Sequence, residues 1–260
     1  MAYFLVVIML FIVLVVFLTM SVGIGNVVGK KRLNTHPEHK LELDGIAESA
    51  VFGLLALLIA FSFSGAYDRL EKRKMHMLVE ANAFDTAFDF ANMLAPTYKK
   101  ELHTYIKDYL NLHLIAYEQI PYINKVNETL VKSEVLEQKI LSTAIKACED
   151  NPNKSLFILI MPAIDQMYRV AQTGILMSEV HPPMIVFIFL VGLAAAGGFL
   201  IGYNSAADRQ KYQIHAICYV LLTAFTIYLI INIEYPRSGF IRLDFFERVL
   251  VNIEKSMIDT

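Results

Sequence analysis

The chain has 260 residues, 56% of them hydrophobic, and a mean hydropathy of +0.48, whereas an ordinary soluble domain is about 45–50% apolar. Only 18% of residues are charged and the net charge is -2, so the chain lacks the basic surplus that nucleic-acid binding draws on. Cys148 falls in a polar region and Cys218 in an apolar one, a separation that argues against a structural disulfide.

Four stretches satisfy the rule that about 20 mostly apolar residues cross a bilayer: 2–28, 46–66, 184–206 and 214–233. The first has no basic residue ahead of it and no A-x-A-like site after it, and its apolar run far exceeds that of a signal peptide, which predicts a retained anchor. Within it, "GIGNVVG" (23–29) has three residues where the dinucleotide fingerprint needs two, and no strand precedes it. Gly25 and Gly29 instead form a GxxxG pair, matched by Gly198 and Gly202 in the third span; such small faces let helices pack closely in lipid. The pairs leave open whether that packing lies within one subunit or between subunits.

The loop "NTHPEHKLELD" (34–44) offers His36, Glu38, His39, Glu42 and Asp44, read as a solvated connection with no metal site. In the second span Glu48, Phe52, Leu55, Ile59, Phe63 and Ala66 recur at helical spacing and share one side of the helix. An ionisable group bordering a span is a functional candidate. The plainer alternative is a glutamate that meets headgroup water.

Between spans two and three lies a region, 68–182, with ordinary charge density, expected to be a soluble helical bundle. Leu70, Met77, Ala81, Phe84, Phe88, Ala91 and Ala95 mark one apolar helix face. No Gly or Pro follows Gly65 before Pro96, so this helix and span two are expected to be a single rod. Beside the apolar face run Asn82, Asp85, Asp89 and Asn92, which is either a solvated edge or the lining of an aqueous cation path. Further helices are predicted near 98–119, 127–149 and 155–180, each stopped by Pro or by Asn-Pro. His113 lies on an apolar face and reads as a core histidine, and Asp165 with Arg169 as an exposed i, i+4 pair.

After span four, "EYPRSGFIRLD" (234–244) predicts a turn at Pro236 and Gly239, with Arg237 beside Glu234, and then a short helix near 243–256. The division expected is therefore a membrane hairpin at 1–67, the bundle at 68–182, a second hairpin at 183–233 and a C-terminal segment at 234–260. Basic residues are more numerous on the bundle side, which places the bundle and both termini in the cytoplasm; the first hairpin alone argues the reverse. No CxxC, HExxH, GxSxG or P-loop occurs, so neither an enzyme nor a bound cofactor or metal is expected.

"AVFGLLALLIAFSFSGAYDR" (50–69), "EANAF" (80–84), "HPP" (181–183) and "EYPRSGFIRLD" together resemble the bestrophin-like family of bacterial membrane proteins, over about residues 45–256. That family is named for a distant similarity to bestrophins, ring-shaped oligomeric ion channels with four spans per subunit, a large cytosolic helical part and a pore lined by span two. The resemblance implies an all-α homo-oligomer, a tetramer or pentamer, in the cell's inner membrane, conducting inorganic ions. It would put Glu48, Phe52, Leu55, Ile59, Phe63 and Ala66 on the pore, with a carboxylate ring that leans toward cations. Bestrophins carry an acidic calcium clasp after the last span; here that stretch offers only Asp244 and Glu247. The competing reading is a membrane-anchored sensor or scaffold whose bundle binds a partner, without conduction.

Overall fold

The computed structural model describes residues 2–35, 45–120, 122–206, 209–236 and 244–257. Every described element is helical: α1 (Ala2–Thr35), α2 (Gly45–Ala91), α3 (Pro96–Gln119), α4 (Ile123–Asp150), α5 (Leu156–Glu179), α6 (Met184–Asn204), α7 (Arg209–Glu234) and α8 (Asp244–Ser256). Four stretches are long and apolar enough to cross a membrane: Ile8–Thr35, Glu48–Ala91, Leu156–Asn204 and Gln213–Glu234, the third taking in α5 and ending with α6. The chain forms two compact units, Met1–Leu70 with His181–Arg242, and Glu71–Val180 with Leu243–Thr260. The two apolar hairpins thus fold as one body, and the C-terminal helix belongs with the bundle.

In the first unit α1 packs on α6 and α7, and α6 on α7. The glycine pairs are spent inside the subunit: a Cβ on Gly25 would stand 2.1 Å from the Phe199 carbonyl oxygen, and one on Gly202 would stand 1.9 Å from that of Val22. Backbone lies directly on backbone there, a distance no side chain permits. The bared polar groups are then tied across the seam, where Ser21 donates to the Ala195 carbonyl at 2.6 Å and Asn26 to the Ser205 hydroxyl at 2.8 Å. Arg32 closes the seam by donating to the Tyr203 hydroxyl at 2.7 Å. Apolar side chains such as Met9, Ile12 and Met20 on α1 and Ile214 and Leu222 on α7 remain exposed, as a lipid-facing surface requires.

The second unit is built as a protein in water is built. Phe84, Ile106, Tyr109, Leu110, Ile140, Ile164 and Met167 form a contiguous apolar core. Pro96 opens α3 at its first turn, where its missing N–H costs nothing, and α2 has already ended at Ala91 rather than running to 95. α4 begins at Ile123, a turn earlier than the start near 127 expected from the sequence. The buried Arg73 side chain caps the far end of α5 by donating to the carbonyls of Met177 and Val180 at 3.2 and 2.9 Å. α8 lays Leu250 and Met257 into the core, with α3 among its neighbours.

Candidate functional site

α2 continues from the apolar segment into the bundle without a break, because nothing between Gly65 and Ala91 interrupts helical hydrogen bonding. The side of its apolar half that carries Glu48, Phe52, Leu55, Ile59, Phe63 and Ala66 turns largely inward. Leu55 is 4% exposed and Ala66 is fully buried, so neither can line a lumen, which corrects the sequence expectation for these two. The Phe52 ring stands edge-on to Tyr219 with centroids 5.8 Å apart, in a notch opened by Gly197, whose Cβ would lie 3.1 Å from the ring. Glu48 accepts a hydrogen bond from the Asn204 amide at 2.9 Å. Ile59 is half-buried, and Phe63 sits at the edge of this side, 38% exposed. The reason is local: α2 is apolar all round here, so periodicity could not choose a face, whereas the glycine notch on α6 does.

The outward side of the same segment carries Leu57 and Phe61, 52% and 68% exposed, beside the small residues Gly53, Ala56, Ala60 and Ser64. Further along α2, Asn82, Asp85 and Asp89 are exposed, as is Asn92 one residue past its end, while Ala81, Phe84 and Phe88 fill the core.

At the membrane border the first unit holds a buried carboxylate with partners from two distant parts of the sequence. Glu234, fully buried at the end of α7, is clasped by Arg69 of α2: Nε lies 3.0 and 2.9 Å from its two oxygens and Nη2 2.6 Å from one of them. His181, just ahead of α6, places Nδ1 3.0 Å from Oε1. The carboxylate only accepts, so Nδ1 carries the proton. The His181 ring lies against Tyr235, centroids 4.3 Å apart. "AYDR", "HPP" and "EYP" therefore converge on one point. Arg237 and Gly239 lie outside the described residues; Pro236 is buried one residue beyond Tyr235. Arg69, His181 and Tyr235 were not singled out from the sequence, although Arg69 and Glu234 are ionisable groups at the ends of spans that exit on the same side, which is the signal that could have paired them.

A second buried polar knot lies inside the bundle. Glu80, fully buried on α2, pairs with His113 of α3 at 2.7 Å and accepts the Tyr117 hydroxyl at 2.7 Å. Gly174 of α5 makes the room, since a Cβ there would stand 2.0 Å from that hydroxyl. His113 is thus a paired core histidine. Nearby, burial and the charge of Glu137, to which its hydroxyl donates at 2.8 Å, push the Tyr109 phenol well above its usual range. Arg169 and Asp165 form the expected exposed pair at 2.7 Å. Among the described residues no group of three or more His, Cys, Asp or Glu side chains is placed to hold a metal ion, and the loop with His36, Glu38, His39, Glu42 and Asp44 lies outside them.

No protein-family model and no curated protein matches this chain. Solved structures do. A point mutant of a bacterial bestrophin homologue from Klebsiella pneumoniae superposes with a TM-score of 0.73 at 13% identity, covering 95% of this chain and 98% of that one. Another crystal structure of that homologue gives 0.72 at 13% identity over 94% and 96%. A variant described only as a membrane protein gives 0.73 at 13% over 95% and 97%. The fold is that of the bacterial bestrophin homologues over almost the entire chain, as the motifs implied.

Proposed function

We propose that the chain assembles as a ring-shaped homo-oligomer in the cell's inner membrane, with the bundle in the cytoplasm, and conducts inorganic ions along the outward side of α2. The observation that carries this reading is the character of that side. Its membrane half sets Leu57 and Phe61 beside a run of small residues, and its bundle half sets out Asn82, Asp85, Asp89 and Asn92 toward water. Large apolar side chains on a ring form a constriction that gates by dewetting, and small neighbours let adjacent subunits approach. Exposed carboxylates beyond the constriction raise local cation concentration, so conduction leans toward cations. Glu48, held by Asn204, sits at the opposite mouth and adds to that field; Phe52, Ile59 and Phe63, on the other side of the helix, support the path from behind. No catalytic step is assigned to any residue.

A scaffold without conduction is the second reading, favoured by the lack of any Asp, Glu, Lys, Arg or His on α2 between Glu48 and Asp68. Liposome flux separates the two. Purified oligomer, four or five subunits by particle projection, is expected to pass sodium or potassium, and Asp85→Asn with Asp89→Asn is expected to move the reversal potential in a salt gradient toward anions. A ring that passes neither anions nor cations would leave the scaffold.

A further inference from the structure

Leu57, Phe61, Gly65 and Arg69 follow one another at four-residue intervals and so form one row along α2. The row's outward apolar members end where Gly65 removes the side chain altogether. Into that gap the Arg69 guanidinium folds back, with Nη1 3.4 Å from where a Gly65 Cβ would stand. From there it reaches both oxygens of Glu234 with two nitrogens, while His181 holds Oε1 from another direction. A bidentate fork fixes angle as well as distance, which a lysine ammonium does not. Glu234 is fully buried, so releasing Arg69 removes a two-pronged partner from a buried carboxylate.

We infer that the Arg69, Glu234 and His181 knot is the rotational stop of α2, fixing which row of its side chains faces the conduction path. The inference rests on the channel reading. Arg69 and Glu234 are positioning residues: they touch no ion, and they act through Leu57 and Phe61. A helix turns about 100° per residue, so a rotation of about 60° brings Leu58, and one of about 100° Ala60, to the place of Phe61. The knot lies one turn beyond Gly65, where Arg69 of this row is held by Glu234, which His181 also holds.

The test is aqueous accessibility of single cysteines in reconstituted oligomer, in a Cys218→Ser background, using a charged methanethiosulfonate as probe. With the knot intact, Leu57→Cys and Phe61→Cys are expected to react at least about tenfold faster than Leu58→Cys and Ile59→Cys, the ratio that one hydrogen bond to a charged group sustains between held and released states. In Arg69→Lys and in Glu234→Gln that ratio should fall toward one. Gly65→Val is a third arm: it leaves every charge in place and only displaces the guanidinium, so it decides the matter if Glu234→Gln fails to fold. A ratio unchanged by Arg69→Lys and Gly65→Val, while Phe61→Cys stays reactive, overturns the rotational stop and leaves the channel standing. A Phe61→Cys no faster than Leu58→Cys in the unaltered background removes the channel face itself, and the stop with it.

Discussion

The two units of this chain solve the same problem, holding helices side by side, by opposite means. In the bundle the contact surface is made of large side chains: Phe84, Tyr109, Tyr117 and Met167 are buried almost completely, and helices stand apart by the thickness of what they bury. In the apolar unit the contact surface is made of missing side chains, with Gly25, Gly29 and Gly202 bringing α1 and α6 together backbone to backbone. The solvent explains the difference. Water rewards removal of apolar area, so bulk is useful; lipid gives nothing for it, so dispersion at close approach and cross-helix hydrogen bonds must hold the helices. Buried charge does not follow that division: the apolar unit holds Glu234 with Arg69 and His181, and the bundle holds Glu80 beside His113 and Tyr117, while the apolar unit adds small ties such as that of Ser21 to the Ala195 carbonyl.

That contrast can be broken most severely at Gly202. Gly202→Leu forces a side chain against the Val22 backbone, where the neighbour cannot yield, so the cost should exceed the roughly 1–3 kcal/mol of an ordinary overpacked core. Folded protein recovered from membranes should vanish, whereas Gly192→Leu, at a glycine with open space around it, should be recovered like wild type. Equal recovery of both would mean that α1 and α6 do not need their close approach.

The bundle should be hurt next most by His113→Leu, which leaves the buried Glu80 carboxylate with Tyr117 as its remaining described side-chain partner. About 1–3 kcal/mol is expected for leaving that buried oxygen without its polar neighbour, read as a shift in the urea midpoint of the detergent-solubilised protein. Replacing the whole pair by apolar residues, Glu80→Leu with His113→Leu, should restore part of that loss. A double variant worse than the single would contradict the uncompensated-charge explanation.

A smaller effect is expected at His103, whose ring stacks on Phe88 at 3.7 Å in a partly buried position. Burial there holds its pKa below the usual imidazole value, so folding favours the neutral ring. Its contribution is present above the ordinary histidine pKa of about 6.5 and is lost as pH falls through the lower folded value. Wild type should therefore lose more stability than His103→Gln between about pH 7.5 and about pH 5. Parallel losses in the two proteins would rule this contribution out. Least of all should follow from Arg169→Ala, because both members of its ion pair face solvent and their attraction is screened there: the unfolding midpoint should not move measurably.

The sequence by itself determined the number and approximate limits of the apolar spans, the helical bundle between the second and third, the continuity of α2 and the helix after span four. Each of these rests on a local quantity: twenty apolar residues in a row, a period of three to four, or a proline that cannot donate. It also marked His113 as a core residue and Asp165 with Arg169 as a pair, since those follow from position on one helix. Which side of α2 faces outward was not readable, because a span apolar all round has no periodicity to read. The notch at Gly197 that takes Phe52, and the burial of Leu55 and Ala66, turned the helix the other way. Only the tertiary structure could decide that the two glycine pairs meet each other within one subunit, and that Glu234 belongs with Arg69 and His181. Residues 53 and 165 positions away in the chain become partners only when the middle of α2, the turn ahead of α6 and the end of α7 meet, and no pattern confined to one helix encodes that meeting.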